Sequence, residues 1–144
     1  MNRIGFIGLG SQGGPMAERI VAAGYPLTVW ARRAEVLEPF LASIIMGGGA
    51  LKRGSAALKA EFLPGVIDGT RQLALACAEP QARFDLDDVV TSARRDGDHF
   101  VLNGHKSMVL HGGTAHQLVV SARTSGSQSD RNGISLFLVD ADAA

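Results

Sequence analysis

The sequence predicts an α+β protein: an N-terminal βαβ unit, a short helix and then an antiparallel β unit. Three observations predict this. A glycine-rich turn near the N-terminus lies between an apolar run and a helix-like stretch. The residue pattern of the chain changes near Leu41, and after residue 65 short β-rich runs alternate with residues typical of turns. We expect three segments: a partial nucleotide-binding unit over 1–40, a helical connection over 41–70 and a partial β domain over 71–144.

Composition limits the classes of function that the chain can have. Its 144 residues are 46% hydrophobic and 19% charged, which is typical of a globular domain. Fourteen basic residues balance fourteen acidic ones, and no apolar run approaches the roughly 20 residues that span a bilayer. The single cysteine, Cys77, has no internal disulfide partner and suits a reducing compartment. We therefore expect a cytoplasmic protein that binds neither nucleic acid nor membranes.

The first thirty residues or so read as strand, helix, strand. Residues 4–7 are a short apolar strand, and a helix is expected over 15–23, because Pro15 suits a first helical turn and Gly24 a helix end. Residues 27–30 form a second apolar strand. A glycine turn between the first strand and the helix completes the opening of a Rossmann-like dinucleotide-binding fold.

Each glycine of this turn has an expected role. Gly8 permits the tight turn, Gly10 lets the backbone approach a pyrophosphate, and Gly13 lets the helix lie close to the strand. Backbone N–H groups and the helix dipole then attract the phosphates. The candidate dinucleotide-binding residues here are Gly8, Leu9, Gly10, Ser11, Gln12 and Gly13.

The residues after the second strand select the cofactor. NAD-binding folds place a carboxylate there for the ribose hydroxyl, whereas this chain has Arg32 and Arg33. Two guanidinium groups favour the 2′-phosphate of NADP. The alternative is that both arginines are merely solvated at the end of a strand.

These residues resemble the N-terminus of the 3-hydroxyisobutyrate and 6-phosphogluconate dehydrogenase superfamily. The likeness lies in Gly-Phe-Ile-Gly-Leu-Gly at 5–10, Gly-Gly-Pro-Met-Ala at 13–17 and Ala-Gly-Tyr at 23–25, and runs through about Phe40. Gln12 stands where many members have Met. The catalytic lysine of that family lies on a later helix, which has no counterpart in the rest of this sequence.

The remaining residues favour one short helix and six strands. The helix is expected over 55–62, closed by Leu-Pro-Gly at 63–65, and turns are expected at 95–98 and at Asn103-Gly104. The polar stretch 124–132 reads as an exposed hairpin loop. The expected strands are 72–77, 89–94, 99–102, 107–110, 117–122 and 134–139.

Residues 44–144 resemble the acyl-CoA dehydrogenase family, from the last helix of its N-terminal domain into its middle β domain. Segments 79–86 and 119–126 resemble in particular the branch that contains small subunits of pimeloyl-CoA dehydrogenase. The matching segments are Leu-Pro-Gly at 63–65, Leu-Ala-Cys-Ala-Glu-Pro at 75–80, Ala-Arg-Arg-Asp-Gly-Asp at 93–98, Val-Leu-Asn-Gly-His-Lys at 101–106 and Phe-Leu-Val at 137–139.

This second resemblance implies one wall of an FAD site, with Phe84 on the acyl-CoA side. Most members have Thr where this chain has Ala78 and Ser where it has Phe84. They have Trp-Ile-Thr where this chain has Met-Val-Leu at 108–110. Neither Ala78 nor Leu110 can donate a side-chain hydrogen bond to a flavin. The flavin-wall residues carried over are Leu75, Ala76, Cys77, Ala78, Glu79, Met108, Val109 and Leu110.

The sequence predicts no catalytic residue and no metal site. The glutamate that abstracts the α-proton in acyl-CoA dehydrogenases lies on a C-terminal helical domain without a counterpart here, and a general base must reach its proton. The spacing of His105, His111 and His116 matches no ligand motif. Ser107 and Ser121 have no base in a recognisable context.

Two functional hypotheses remain open. In the first, the chain is an oxidoreductase-derived protein that binds NADP and FAD and is incomplete as a catalyst, with acyl-CoA binding only if a partner completes the site. In the second, it is an inactive fusion without independent function, whose uncovered strand faces and edges favour self-association.

Overall fold

The fold was analysed on a computed structural model that describes residues 4–10, 12–31 and 37–143, without the side chain of residue 38. The N-terminal unit consists of strand β1 (Ile4–Ile7), helix α1 (Gly13–Ala22) and strand β2 (Leu27–Trp30). The two strands pair in parallel, from Ile4 opposite Leu27 to Ile7 opposite Trp30. The predicted βαβ unit is confirmed, and α1 begins two residues before Pro15 because the glycines at 13 and 14 continue the helix.

A helical layer links this unit to the second sheet. Short helix α2 (Leu37–Pro39) continues into a π-helical segment (Phe40–Gly47) and then into α3 (Gly48–Leu51), and α4 (Ala56–Asp68) follows. Helix α4 begins at a side-chain cap, since Ser55 Oγ accepts from the N–H of Leu58 at 3.1 Å.

The predicted end of the helix at 63–65 is wrong. Helix α4 continues through Pro64 to Asp68 and ends at Gly69, whose φ of +81° is a left-handed helix cap. The extension buries Val66 against Leu51 and Leu73, and this burial outweighs the hydrogen bond that Pro64 cannot donate.

The second sheet contains β3 (Leu73–Ala76), β4 (Ser92–Asp96), β5 (His99–Asn103), β6 (Gln117–Arg123) and β7 (Ile134–Asp140). Strands β4 and β5 pair antiparallel, as do β6 and β7, which confirms the antiparallel character expected of this part. Strand β3 lies parallel to β6, with Leu73 opposite Gln117. Five of the six predicted strands thus form, although β4 begins three residues later than expected.

Two local predictions in this sheet are wrong. Residues 107–110 form no strand, because Met108 (φ +51°) and His111 (φ +63°) adopt left-handed conformations that interrupt extended backbone. Gly104 makes no hairpin turn and instead begins the irregular stretch 104–109. The turn expected at 95–98 forms, with Gly97 (φ +60°) and Asp98 joining β4 to β5.

The core consists of two neighbouring apolar clusters. Leu9, Ala17 and Phe40 are buried in the first, and Leu51, Val66 and Leu73 in the second. Ile44 of the π-helical segment packs against both clusters, and Ser43 Oγ donates to the carbonyl of Leu73 at 3.0 Å. The helical layer therefore joins the two sheets through one continuous interior.

Candidate functional site

The glycine turn has the geometry that its spacing predicts. Gly8 has a φ of +94°, and its N–H donates to the carbonyl of Trp30 at 2.8 Å. A Cβ atom at Gly13 would overlap the carbonyl oxygen of Gly8, so helix and turn approach too closely for any other residue. At Gly10 a Cβ atom would meet nothing within 4 Å, and the backbone there is open to a ligand.

The remaining candidates of this turn differ in accessibility. Leu9 is buried against Ala17 and Phe40 and holds the turn onto the helices. Gln12 is exposed, and its side chain makes no capping hydrogen bond to α1. Ser11, Arg32 and Arg33 lie outside the described residues, so the preference for NADP stays a prediction.

The structure places part of the predicted flavin wall 75–79 beside the residues that lead into its second part, 108–110. One segment (77–79) follows β3, and the other (106–108) follows β5 in the chain. The N–H of Ser107 donates to the carbonyl of Ala78 at 2.9 Å. We call residues 77–79 and 106–108 the paired segments; backbone from positions almost thirty residues apart forms one surface here.

A buried ion pair reinforces this contact. Lys106 Nζ donates to Glu79 Oε1 at 2.6 Å, and the two side chains are 9% and 1% exposed. The Glu79 carboxylate also accepts from the N–H groups of Val90 at 2.8 Å and Thr91 at 3.0 Å, and from Gln81 Nε2 at 2.8 Å. Four donors thus bind the carboxylate of Glu79, and its side chain lies in the interior. The resemblance places Glu79 in the flavin wall.

These donors decide the charge of Glu79. Burial alone would raise the pKa of its carboxyl, but the hydrogen bonds from Lys106, Thr91, Gln81 and Val90 lower that pKa to about 2. The carboxylate is therefore ionised at neutral pH and fully paired.

Lys106 also contacts a second partner, Ser121. Its Nζ lies 3.0 Å from Ser121 Oγ, an arrangement that could suggest a Ser–Lys nucleophile. The same Nζ donates to Glu79 Oε1 at 2.6 Å, so the lysine nitrogen is engaged in the buried ion pair and is the donor in its hydrogen bond to the Ser121 hydroxyl. Ser121 is moreover only 5% exposed.

The structure explains why a glycine, Gly104, stands two positions before Lys106. A Cβ atom at Gly104 would lie 2.6 Å from the Cα of Thr91, which is too close for any side chain. This close approach places Thr91, whose N–H binds Glu79, beside the segment that carries Lys106. The Gly-x-Lys motif and the Glu-Pro motif are therefore two halves of one buried arrangement.

Two large apolar side chains remain uncovered at the predicted flavin and acyl-CoA positions. Met108 is 91% exposed and Phe84 97% exposed. Met108 directly follows the Ser107 backbone contact, and its positive φ turns it out of the extended path. Both side chains are therefore accessible to a ligand at these positions.

The other carried-over residues support this surface from within. Leu75 and Ala76 end β3 and pair with Val119 and Val120, and Ala76 is fully buried. Cys77, Ala78, Val109 and Leu110 are each half-buried.

Arg123 is a structural residue that the sequence did not single out. Its guanidinium donates to six backbone carbonyls: those of Asp87, Val89, Ser125, Gln128, Asp130 and Asn132. These bonds tie the hairpin loop 124–132 to the segment 87–89. No sequence signal identifies such a contact, because carbonyl acceptors carry no side-chain signature.

No group of three metal-ligating side chains occurs within residues 4–10, 12–31 and 37–143. Over the same part of the chain, the helices are too short or too polar to cross a membrane.

Two family models match the chain. The NAD binding domain of 6-phosphogluconate dehydrogenase matches residues 3–74, and the middle domain of acyl-CoA dehydrogenase matches residues 74–144. The first match extends beyond Phe40, where the resemblance was expected to stop. Both parts of the expected composite are thus found.

Curated relatives and solved structures give the same result. Acyl-CoA dehydrogenase FadE29 of Mycobacterium tuberculosis is 34% identical over 110 residues, which is 76% of this chain and 28% of that protein. Subunit CarC of the caffeyl-CoA reductase–Etf complex of Acetobacterium woodii is 31% identical over 97% of this chain and 38% of that subunit. The FAD complex of PigA superposes with a TM-score of 0.71 at 25% identity, over 76% of this chain and 29% of PigA.

The first of these alignments is longer than the segment 74–144, so the likeness to acyl-CoA dehydrogenases also includes residues before 74. The two likenesses therefore overlap in the helical layer. The chain spans between about a quarter and two fifths of the length of these relatives.

Proposed function

Since residues 3–74 belong to the family of the 6-phosphogluconate dehydrogenase NAD-binding domain and residues 74–144 to the acyl-CoA dehydrogenase middle-domain family, we propose a cofactor-binding role for this chain. It contributes one wall of an FAD site, holds NADP at its glycine turn and is incomplete as an acyl-CoA dehydrogenase. We further propose that the chain is divided into the segments 1–40, 41–70 and 71–144 and that it is located in the cytoplasm.

The single observation that carries the flavin proposal is the hydrogen bond from the N–H of Ser107 to the carbonyl of Ala78. It joins Ala78 of the predicted flavin wall to the residue directly before the second part of that wall, 108–110, and the buried Glu79–Lys106 pair fixes this contact. The exposed Met108 suits the face of a planar ring, because sulfur and aromatic groups attract each other. PigA, with a similar fold, is known as an FAD complex.

The residues that would hold FAD are the backbone of 75–79 and the segment 108–110. A bound flavin would supply a hydride or electron acceptor. The chain would orient it by backbone hydrogen bonds and apolar contact, because Ala78 and Leu110 have no side-chain donor. We expect weaker binding than a hydroxyl-bearing wall would give.

The NADP proposal depends on the glycine turn. The close approach at Gly13 and the open backbone at Gly10 support a pyrophosphate at the N-terminus of α1. The choice of NADP over NAD depends on Arg32 and Arg33 and is a proposal from sequence alone.

The proposed incompleteness concerns the proton transfer. The chain spans 28% of the FadE29 dehydrogenase, and neither family's catalytic residue has a counterpart in the sequence. Acyl-CoA would then bind, next to Phe84, only if a partner supplies the remaining walls and the base.

Absorption spectroscopy and titration test the proposal. The purified chain should show flavin absorption, or bind added FAD and NADPH saturably, with NADPH tighter than NADH. Met108→Lys should weaken FAD only, and Gly10→Val should weaken NADPH only. Absence of saturable binding of both cofactors would refute the proposal, and turnover of acyl-CoA by the chain alone would refute its incompleteness.

One observation favours the alternative of a fusion without independent function. The face of β1 and β2 turned away from α1 leaves Ile7 80% and Trp30 60% exposed. An uncovered apolar sheet face of this kind favours self-association. Concentration-dependent assembly together with no cofactor binding would support this alternative, and a monomer that binds either cofactor would exclude it.

A further inference from the structure

A cavity of about 260 Å³ lies where the N-terminal unit meets the helical layer. It is separate from the paired segments. Leu9 and Glu18 line it from the glycine turn and α1, Ser43 lines it from the π-helical segment, and Gly69 and Arg71 line it from the link between α4 and β3. The cavity is therefore built from three parts of the chain.

Two charged side chains on its wall have buried polar atoms without a hydrogen-bond partner among the described residues. These atoms are Oε2 of Glu18 and Nη1 of Arg71. Ser43 cannot serve either of them, because its hydroxyl is engaged with the backbone of Leu73. A buried polar atom left unpaired is costly, and such atoms point to a ligand or solvent that pairs with them.

The two side chains on the cavity wall differ in charge. Burial disfavours the charged form of Glu18 and the nearby charge of Asp68 opposes it, so both raise the pKa of this carboxyl, and a cation beside it would relieve both effects. Arg71 is held by contacts of both its side chain and its backbone. Its guanidinium lies 4.4 Å from the ring centre of Phe62. The backbone N–H of Arg71 donates to the carbonyl of Gly65 at 2.8 Å. A guanidinium held in this way attracts a carboxylate.

We propose that this cavity binds a small zwitterion of the α-amino acid class, with its carboxylate on Arg71 and its ammonium group on Glu18. Opposite charges on one wall of one cavity match a molecule that carries both charges. The volume lies below the roughly 300–1,000 Å³ of sites for drug-sized ligands, which suits a molecule of this size. The cavity is separate from the proposed flavin site and shares Leu9 with the turn of the proposed NADP site.

Calorimetric titration of the full chain with glycine and L-alanine tests this assignment. Saturable binding is expected, with amide shifts at Gly14 and Gly69 in a ¹⁵N spectrum. N-acetylglycine and glycine methyl ester each lack one charge, and both should bind roughly tenfold or more weakly, because each loses one charge-assisted hydrogen bond. These ligands probe the wild-type chain and need no variant to fold.

Variants then assign each charge to its side chain. Arg71→Gln should abolish the preference for glycine over its methyl ester, and Glu18→Gln the preference over N-acetylglycine. The exposed Arg19→Gln on α1 and Glu61→Gln on α4 are matched controls that should bind as the wild type does. Equal affinity for glycine and acetate, or no saturation of the folded chain at about 10 mM, would overturn the proposal.

Discussion

The glycine turn and the paired segments each present backbone to a proposed cofactor, but they are held in place by different means. The turn depends on neighbours within a few residues: Gly13 fits against Gly8, and the N–H of Gly14 donates to Gly10. The paired segments depend on contacts over long chain separations, above all between Glu79 and Lys106, 27 residues apart.

The sheet beside the glycine turn is also less buried than the sheet that carries the paired segments. The sheet of the N-terminal unit has two strands and leaves Ile7 and Trp30 exposed on one face. In the five-stranded sheet, β6 has neighbours on both edges, and residues 119–122 are buried. A short glycine motif can therefore form with little surrounding structure, whereas a surface made from distant segments needs a completed core and fully paired charges.

The largest expected effect comes from breaking the buried ion pair. Lys106→Met should lower the free energy of unfolding by about 3–5 kcal/mol, because it leaves the carboxylate of Glu79 buried without its cation. Urea unfolding followed by circular dichroism measures the change. The exposed Lys52→Met should have almost no effect. The double variant with Glu79→Gln should regain part of the loss, and a loss equal to that of Lys106→Met alone would contradict the pairing argument.

Two alanine substitutions distinguish the glycine that is needed for packing of the turn from the glycine that leaves its backbone open to a ligand. Gly13→Ala should destabilise the chain by about 3 kcal/mol, because the new Cβ atom meets the backbone of Gly8 and forces it to move. Gly10→Ala meets open space, and its stability should change by no more than about 1 kcal/mol. Thermal melts compare the two variants. Equal losses would show that the turn is not packed as described.

The lowered pKa of Glu79 predicts an acid-sensitive sheet. Its ordinary value of 4.5 applies to the unfolded chain, and its folded value is about 2. The resulting stabilisation is complete above pH 4.5 and is lost as the pH falls towards 2; its size is up to about 3 kcal/mol. Unfolding free energies of the wild type and of Glu79→Gln between pH 2 and 7 measure it. The difference between the two proteins should shrink with acidification, and a constant difference would exclude this origin.

A smaller effect is expected at Arg123. Arg123→Lys keeps the charge but cannot reach six carbonyls, so about 2 kcal/mol of stability should be lost. Hydrogen exchange should accelerate in residues 124–132 more than in β3. Arg95→Lys, at an exposed position on β4, is the control. Uniform acceleration over the whole sheet would show that the loop is not specifically tied.

The smallest effect on stability is expected at the exposed face of the βαβ unit. Ile7→Thr keeps a β-branched side chain at a position that is 80% exposed, so the unfolding free energy should change by less than about 0.5 kcal/mol. Self-association measured by sedimentation velocity should nevertheless decrease, because the apolar face is interrupted. Unchanged assembly would place the contact elsewhere, and Thr28→Ser on the same face is the conservative control.

Much of the fold could be predicted from short-range patterns. The strands at 4–7, 27–30 and 117–123 follow from apolar runs bounded by glycine or polar residues, and the turn at Gly97-Asp98 follows from its residue types. The errors have one physical cause. Pro64 is a helix breaker locally, but the burial of Val66 keeps α4 intact, and residues 107–110 have strand composition but lie where the backbone turns outward.

The sequence by itself determined the two cofactor motifs and their family relationships, because glycine spacing and the Glu-Pro and Gly-x-Lys motifs are local and chemically specific. Only the tertiary structure decided how they are used. It turned Glu79 inward onto Lys106, set Ser107 against Ala78, and placed Glu18 and Arg71 on one cavity wall. These contacts join residues far apart in the chain, and their partners are fixed by where the core brings the backbone together rather than by any pattern of neighbouring residues.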